Sequence, residues 1–322
     1  MHTSSSSSSL RPTASPRALG LAALVLAGLT WASLYLVAKP LLGQVRPAAF
    51  TLIRYSIAAL VYAALLLPRG AAPWRQLRRH GPRLALLGLL GYGFFGLMLL
   101  LGLALSNPAH GATLVATAPI TTQLLRWALD GQRPAPALLG SSLLALLGVA
   151  IVAGLLGQAA ALDARMLLGD LLTLAGTLGW VLYTRGAARL PELDPLAYSG
   201  LSAIAVWPLL ALAVLGAAAL GLVELPSAAQ LRAHWAGLLY VGIVPSVLGV
   251  LAYMLGVRLL GAVTGTAFLN LIPVLVLALS ALLGQPPSGR ELLGGAVVVA
   301  ALLLHSALGQ RRPATAVTTT TS

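Results

Sequence analysis

Long apolar runs separated by short polar breaks dominate the chain. Each run has about 20 mostly apolar residues, the length that an α-helix needs to cross the hydrocarbon core of a bilayer. They cover residues 18–38, 48–67, 84–106, 108–129, 137–157, 167–186, 195–219, 235–257, 262–284 and 291–309. The breaks leave no room for a second, soluble domain, and Asn107-Pro108 is predicted to be a tight turn. The pattern therefore predicts an all-α integral membrane protein with ten transmembrane helices.

The two ends of the chain depart from this pattern. Residues 1–17 include six consecutive serines and two prolines, and residues 310–322 end in a threonine-rich tail. Neither segment can bury enough apolar surface to fold, so both are predicted to be disordered tails. The first run is longer than the apolar part of a signal peptide, and a second run follows at once. It is therefore predicted to be an uncleaved first helix.

Composition supports lipid as the surrounding medium. Of the 322 residues, 58% are hydrophobic and 8% are charged, and the mean hydropathy is +0.92. An ordinary soluble domain has about 25% charged residues, because water must wet its surface. This composition excludes a water-soluble globular enzyme. The chain has no cysteine, which also excludes thiolate metal sites and cysteine nucleophiles.

The net charge is +13, and the basic residues behind it are distributed in a way that indicates the membrane topology. In a soluble protein such a charge suggests nucleic-acid binding, but here the basic residues lie mainly in gaps between apolar runs, so no nucleic-acid partner is predicted. Most of them fall in alternate gaps. The positive-inside rule then places both termini in the cytoplasm and the chain in the cell (inner or plasma) membrane.

The two halves of the chain resemble each other at a nearly constant spacing. Four matched pairs lie 154 positions apart: Gly88 and Gly242, Gly102 and Gly256, Gly111 and Gly265, and Pro119 and Pro273. A Gly-Gln-x-Pro string at 131–134 recurs at 284–287, and Trp31 recurs as Trp180. Five spans in each half require the second half to enter the membrane from the opposite face. The halves, 18–160 and 161–309, are therefore predicted to be inverted repeats, which are typical of transporters with a substrate site at their interface.

The same residues resemble the EamA family of the drug/metabolite transporter superfamily. The likeness is carried by Trp31-Ala32-Ser33, Lys39, Arg54-Tyr55, Ala58-Ala59, Pro119, Gly169-Asp170, Trp180, Tyr183 and Pro273. Gln132 and Gln285 stand where the family often has glutamate. The resemblance implies a carrier for small metabolites, often an exporter of an amino acid or a related compound. It also implies that helices one, three, four, six, eight and nine line a central cavity.

Polar and aromatic residues deep in the runs are the candidates for a substrate site, because costly polar side chains in a span usually face the bundle interior. The predicted substrate-binding residues are Trp31, Tyr92, Phe95, Thr117, Thr121, Trp180, Tyr253 and Asn270. Each has a structural alternative. Threonine hydroxyls bond to carbonyls of their own helix, aromatic side chains pack, and the Asn270 amide bonds to a carbonyl that Pro273 leaves free near Leu269.

Arg54 is the only cation well inside an apolar run. One hypothesis is that its guanidinium binds a substrate carboxylate or another anion through two parallel hydrogen bonds. The alternative is a structural role, in which Arg54 snorkels to an interface or pairs with the carbonyl end of a helix. The peripheral place of the second helix in the family favours the structural role.

The predicted function is secondary transport, in the direction of export, of a small metabolite such as an amino acid. An intramembrane enzyme needs a nucleophile–base pair, a metal cluster or paired acids within the spans. Neither an HExxH nor a GxSxG motif occurs, so no catalytic, metal-binding or cofactor-binding residue is predicted. A non-transporting scaffold or sensor is the other alternative. The substrate, the ion coupling and the choice between monomer and homodimer stay open at this level.

Overall fold

The computed structural model describes residues 15–105, 114–152, 155, 164–284 and 286–310, apart from the side chains of residues 39, 306, 309 and 310. These residues form helices and contain no β-strand. The predicted turn at Asn107-Pro108 and most of both predicted tails lie outside the described residues.

The helices are numbered here in chain order. They are α1 (Pro16–Leu42), α2 (Pro47–Leu66), α3 (Ala72–Leu105), α4 (Ala118–Asp130), α5 (Pro136–Val152), α6 (Ala164–Ala188), α7 (Pro195–Ala219), α8 (Ala228–Leu260), α9 (Ala262–Leu282) and α10 (Gly289–Gln310). Within the described ranges, seven are long and apolar enough to cross a membrane: α1, α2, α3, α6, α7, α8 and α9. The apolar helix α5 has 17 residues.

Local chemistry explains where several helices begin and end. Ser15 caps α1 by accepting a hydrogen bond from the Ala18 amide, and Pro16 is at the first helical position, where its missing N–H costs nothing. Gly131 ends α4 in the left-handed conformation, with φ of 66°. Hydropathy placed the third span at 84–106, but α3 begins at Ala72. The helix extends beyond the apolar run because an arginine-rich segment forms additional polar turns that hydropathy does not detect.

Two helices contain a widened, π-helical turn. One covers Leu89–Phe94 in α3 and the other covers Val244–Leu248 in α8. Each follows one member of the matched pair Gly88 and Gly242, so the two turns fall at equivalent positions in the two halves. π-Turns inside α-helices are frequent at functional sites.

The packing of the helices also repeats between the halves. Helix α1 packs on the second part of α8, and α6 packs on the second part of α3, which is the same contact with the halves exchanged. Helix α2 packs on α7, and α5 packs on α10, so that each contacts its own counterpart. This arrangement fits two five-helix repeats that enclose a shared centre.

The connections between helices collect at two ends of the bundle. At one end, Arg69 after α2 pairs with Asp194 before α7, and Asp130 at the end of α4 pairs with arginines at the end of α6. We call this the Asp130 end. At the other end, Arg46 before α2 pairs with Glu224 before α8 at 3.3 Å. Alternate connections therefore share an end, as they must if the helices thread back and forth.

Candidate functional site

A small central cavity lies where the two halves meet. Its volume is about 40 Å³, which is room for a few water molecules. It is lined by Trp31, Leu34, Tyr35, Arg54, Phe95, Leu99, Val115, Thr177, Trp180, Leu269 and Ile272. Among the described residues, Arg54 is the one charged residue in this lining, and most of the wall is aromatic or aliphatic.

Four of the predicted substrate residues form one aromatic cluster beside this cavity. Trp31 and Trp180 meet edge to face, with their ring centroids 5.4 Å apart. The ring of Tyr253 lies 5.1 Å from that of Trp31 and 5.3 Å from that of Trp180. Phe95 lies 5.2 Å from Trp180. Helices α1, α3, α6 and α8 therefore each contribute one aromatic ring to a single cluster.

Tyr92 is buried next to this cluster, where its ring contacts the rings of Tyr55 and Tyr183. Its ring is 5.1 Å from that of Tyr55. Its hydroxyl is 3.1 Å from the Tyr183 hydroxyl and donates to the Ser199 carbonyl at 3.1 Å. Because its hydroxyl is already bonded and Tyr92 is not in the cavity lining, its contacts are those of the packing alternative.

The threonines of the fourth span also make the contacts of the structural alternative. The Thr117 hydroxyl donates to the Leu114 carbonyl at 2.6 Å, and the Thr121 hydroxyl donates to the Thr117 carbonyl at 3.1 Å. Neither residue lines the central cavity, whereas Val115 of the same segment does.

Asn270 is fully buried in the 3-10 turn Phe268–Asn270 of α9. Within the described part of the chain, neither its amide nitrogen nor its amide oxygen has a hydrogen-bond partner. The predicted bond to a nearby carbonyl is therefore absent from these residues. Its neighbours Leu269 and Ile272 line the cavity, so the amide lies close behind the cavity wall.

Arg54 faces the central cavity rather than an end of the bundle. Its exposed fraction is 4%, and its Nε donates to the Ser246 hydroxyl at 2.6 Å. Ser246 in turn donates to the Val241 carbonyl at 2.6 Å, which lacks its regular helical donor because Pro245, four residues later, has no N–H. The guanidinium carbon lies 4.9 Å from the centroid of the Tyr55 ring. Snorkelling of Arg54 does not occur in this structure.

Sequence reasoning missed two polar residues of the lining, Tyr35 and Thr177. Tyr35 comes four residues after Trp31, and Thr177 comes three residues before Trp180. Residues three or four apart share a helix face, so this spacing was a usable signal. The Thr177 hydroxyl donates to the Thr173 carbonyl at 2.9 Å.

A wider space with a charged wall opens at the Asp130 end. Two clefts of about 450 and 370 Å³ adjoin there and share Ala188, Gly261 and Ala262. Their charged lining residues are Arg126, Asp130, Arg185, Arg189 and Arg258, and we call this space the basic vestibule. Hydrogen bonds and charge from Arg185, helped by Arg189, hold the pKa of Asp130 below its usual value.

Comparison with known families identifies the class of protein that this fold represents. The EamA-like transporter family matches the chain twice, at residues 18–154 and 167–307. The chain therefore belongs to the EamA-like transporter family, and the resemblance seen in its motifs is confirmed. Members of this family are multi-pass membrane proteins that act as transporters.

Individual relatives match over nearly the whole chain. The uncharacterized transporter YrdR of Bacillus subtilis is 24% identical over 296 residues, which covers 89% of this chain and 91% of the relative. A probable terminal-alkyne amino-acid exporter of Streptantibioticus cattleyicolor is 29% identical over 300 residues, with 91% and 95% covered. A solved structure described as "Crystal structure of protein" matches with a TM-score of 0.71 and 23% identity over 92% of this chain and 98% of its own, so the two share a fold.

Proposed function

We propose that the protein is a secondary transporter that exports a small metabolite, such as an amino acid, by alternating access. Its ten transmembrane helices form two inverted repeats, residues 18–160 and 161–309, with both termini in the cytoplasm. The two family matches and the exchange-symmetric packing of the helices support this architecture. Transport follows from it because rocking of one repeat against the other opens a shared site to each side in turn.

The observation that carries this proposal is the position of the central cavity. Its walls come from α1, α2 and α3 of one half and from α6 and α9 of the other. A solute held there contacts both halves at once, so its binding is sensitive to their relative position. Trp31, Phe95 and Trp180 provide apolar contact surface, and Arg54 provides the one charge among the lining residues that the structure describes.

The volume of the cavity indicates how the cycle proceeds. About 40 Å³ holds a few waters, so a metabolite needs the two halves to separate locally before it fits. The basic vestibule lies at the Asp130 end, whose arginine-rich connections the positive-inside rule assigns to the cytoplasm. Its position there supports loading from the cytoplasm. Loading from the cytoplasm is the direction that export requires.

The direct test is counterflow in proteoliposomes that contain the purified full chain. Vesicles preloaded with an unlabelled amino acid should take up the same radiolabelled amino acid transiently and saturably. A panel that includes propargylglycine is suitable, because one relative is named as a terminal-alkyne amino-acid exporter. Absence of saturable counterflow for the whole panel contradicts the proposed class of substrate.

A matched pair of tryptophan variants separates site effects from general damage. W180L changes a cavity residue, and W235L changes a tryptophan that is 61% exposed. We expect W180L to lower counterflow by about tenfold or more, as loss of a buried contact residue does, and W235L to leave it unchanged. Only a transporter gives saturable counterflow, so an intramembrane enzyme and a membrane scaffold both fail this test.

A further inference from the structure

We propose that the central cavity is a carboxylate site. Arg54 binds the carboxylate of an amphipathic solute, the apolar part of that solute lies against Trp31, Phe95 and Trp180, and an amino group on it gains no ion pair. This inference rests on the proposed function and names the substrate class of the same site. It predicts that organic acids without an amino group bind as well as amino acids do.

The charge of Arg54 has no counter-ion among the described residues. The side chain is 4% exposed, yet within the described ranges no carboxylate lies within ion-pair distance of it. Its single hydrogen bond uses Nε, which leaves the four N–H groups of the two terminal nitrogens without a protein partner in the same residues. A buried unpaired charge is costly, so such a group favours a ligand of opposite charge.

The guanidinium of Arg54 is held in a fixed orientation. Ser246 accepts from Nε while its own proton goes to the Val241 carbonyl, both at 2.6 Å. Tyr55 lies under the guanidinium at 4.9 Å. The terminal nitrogens lie on the far side of the group from Nε, and a fixed planar fork is the geometry that binds both oxygens of a carboxylate.

The ammonium group of an amino acid is recognised less strongly in this cavity than its carboxylate. The part of the cavity lining that the structure describes has no aspartate or glutamate, so an ammonium finds only hydroxyls, carbonyls and aromatic faces among these residues. Aromatic faces attract a cation more weakly than a buried carboxylate does. The carboxylate therefore dominates recognition.

The basic vestibule is a second, independent observation that points to an anion. Among the described residues, four arginines and one aspartate provide its charges. Helix α6 connects it with the cavity, because Val181 of the vestibule follows Trp180 of the cavity and Arg185 lies one turn further on. Because the arginines outnumber the aspartate, the net charge of the vestibule is positive, and a positive cleft raises the local concentration of anions.

The test uses four compounds that share a short alkyl chain and differ in charge. Pentanoate has only a carboxylate, norvaline has a carboxylate and an ammonium, and norvaline amide and butylamine have only an ammonium. Binding to the purified full chain in detergent is followed by the fluorescence of its tryptophans. We expect pentanoate and norvaline to bind within about threefold of each other and the other two compounds at least about tenfold more weakly, because they lack the charge-assisted contact.

Variants then assign this preference to Arg54. R54Q should remove the preference, and R54K should keep part of it, since lysine keeps the charge without the fork. S246A should weaken carboxylate binding while S246T restores it, as expected of a positioning residue. R232Q, at an exposed position near the start of α8, is the matched control and should bind like the parent.

Every outcome decides the matter. Equal binding of pentanoate and butylamine, no binding of either carboxylate, or an intact preference in folded R54Q overturns the carboxylate site. The compound series on the parent protein keeps the test decisive even where R54Q does not fold. Counterflow separates this inference from the proposed function: equal transport of norvaline and norvaline amide refutes the carboxylate site alone, and Arg54-dependent binding without counterflow refutes transport alone.

Discussion

The indole rings of Trp31 and Trp180 meet at 87°, with their centroids 5.4 Å apart, and the two residues are counterparts in the two halves of the chain. The contact therefore joins a residue to its own repeat partner at the centre of the molecule. Their hydrogen bonds differ, however. Trp31 Nε1 donates to the Pro245 carbonyl at 3.0 Å, whereas Trp180 Nε1 has no partner in the described part of the chain.

This difference predicts unequal stability effects of the same substitution. W31F removes the hydrogen bond from the indole N–H to the Pro245 carbonyl. W180F removes an indole N–H that makes no hydrogen bond in the described residues. Because both variants lose similar ring area, we expect W31F to be less stable than W180F by about 1–3 kcal/mol. Thermal unfolding of the purified variants in one detergent measures this, and equal melting temperatures would contradict it.

The contact between α5 and α10 predicts a second pair of variants. An alanine methyl at Gly148 would lie 2.8 Å from the Val298 backbone nitrogen and 2.9 Å from the Gly294 carbonyl oxygen. The backbones have to separate, which costs about 1–3 kcal/mol as overpacking does. At Gly140, on the same helix, nothing lies within 4 Å of such a methyl, so G140A should be neutral or stabilising by about 0.5–1 kcal/mol. Equal melting temperatures of G148A and G140A would show that the two helices are not packed this closely.

Asp130 is predicted to hold the basic vestibule together. It pairs with Arg185 and with Arg189 at 3.1 Å, and these contacts join α4 of the first half to α6 of the second. D130N removes both ion pairs, so we expect the vestibule to open more often. A single cysteine at Ala188, in a chain that has no cysteine of its own, should then react several-fold faster with a maleimide.

E224Q is the control for this variant. It removes the exposed pair between Arg46 and Glu224 at the opposite end. Exposed pairs contribute little, and this one does not touch the vestibule. The labelling rate at Ala188 should therefore stay as in the parent, and a rise equal to that of D130N would mean that the effect is not specific to Asp130.

Asp194 predicts a pH dependence of stability. Burial raises the pKa of its carboxyl, but hydrogen bonds from the Ala197 amide and from Arg69 outweigh burial and lower the pKa below the usual value. A lowered pKa in the folded state means that the stabilisation is present above the usual value of about 3.9 and is lost as the pH falls through the folded-state pKa. D194A should lose about 0.5–2 kcal/mol of cap stability at pH 7 and should show a smaller acid-dependent loss than the parent.

Ser227, which caps α8 without a charge, provides the comparison. S227A should lower stability by a similar amount, but the difference from the parent should be constant with pH, since a hydroxyl does not titrate in this range. Melting temperatures from pH 7 down to about pH 3 distinguish the two caps. If D194A and S227A gave parallel pH profiles, the charge of Asp194 would not be a cause of the acid-dependent loss of stability.

Hydropathy predicted an all-helical membrane protein, because lipid imposes a simple length and composition on each crossing segment, and seven helices of the described residues meet those requirements. It could not predict the polar turns that extend α3 beyond its apolar run. Within the site, helical spacing and the repeat made Trp31, Phe95, Trp180 and Tyr253 separate candidates, and the structure brings their rings into one cluster. That spacing could not show that the Thr117 hydroxyl is bonded to its own helix, since the exposed and bonded states of threonine have the same sequence pattern.

The position of Arg54 shows most clearly what sequence could not provide. Its contact with Ser246 joins residues 192 positions apart, so it depends on how α2 packs against α8. Ser246 lies within the widened turn Val244–Leu248 of α8, next to Pro245. Neither a remote packing contact nor a widened turn has a local pattern that hydropathy or spacing can detect.

The widened turns of α3 and α8 also match each other in position. Each holds one residue more than a regular helix needs for the same rise. The spacing between matched glycines is 154 both before the turns, at Gly88 and Gly242, and after them, at Gly102 and Gly256. The two halves therefore have the same number of residues between these glycines, so the segments that contain the widened turns are matched in length as well as in position.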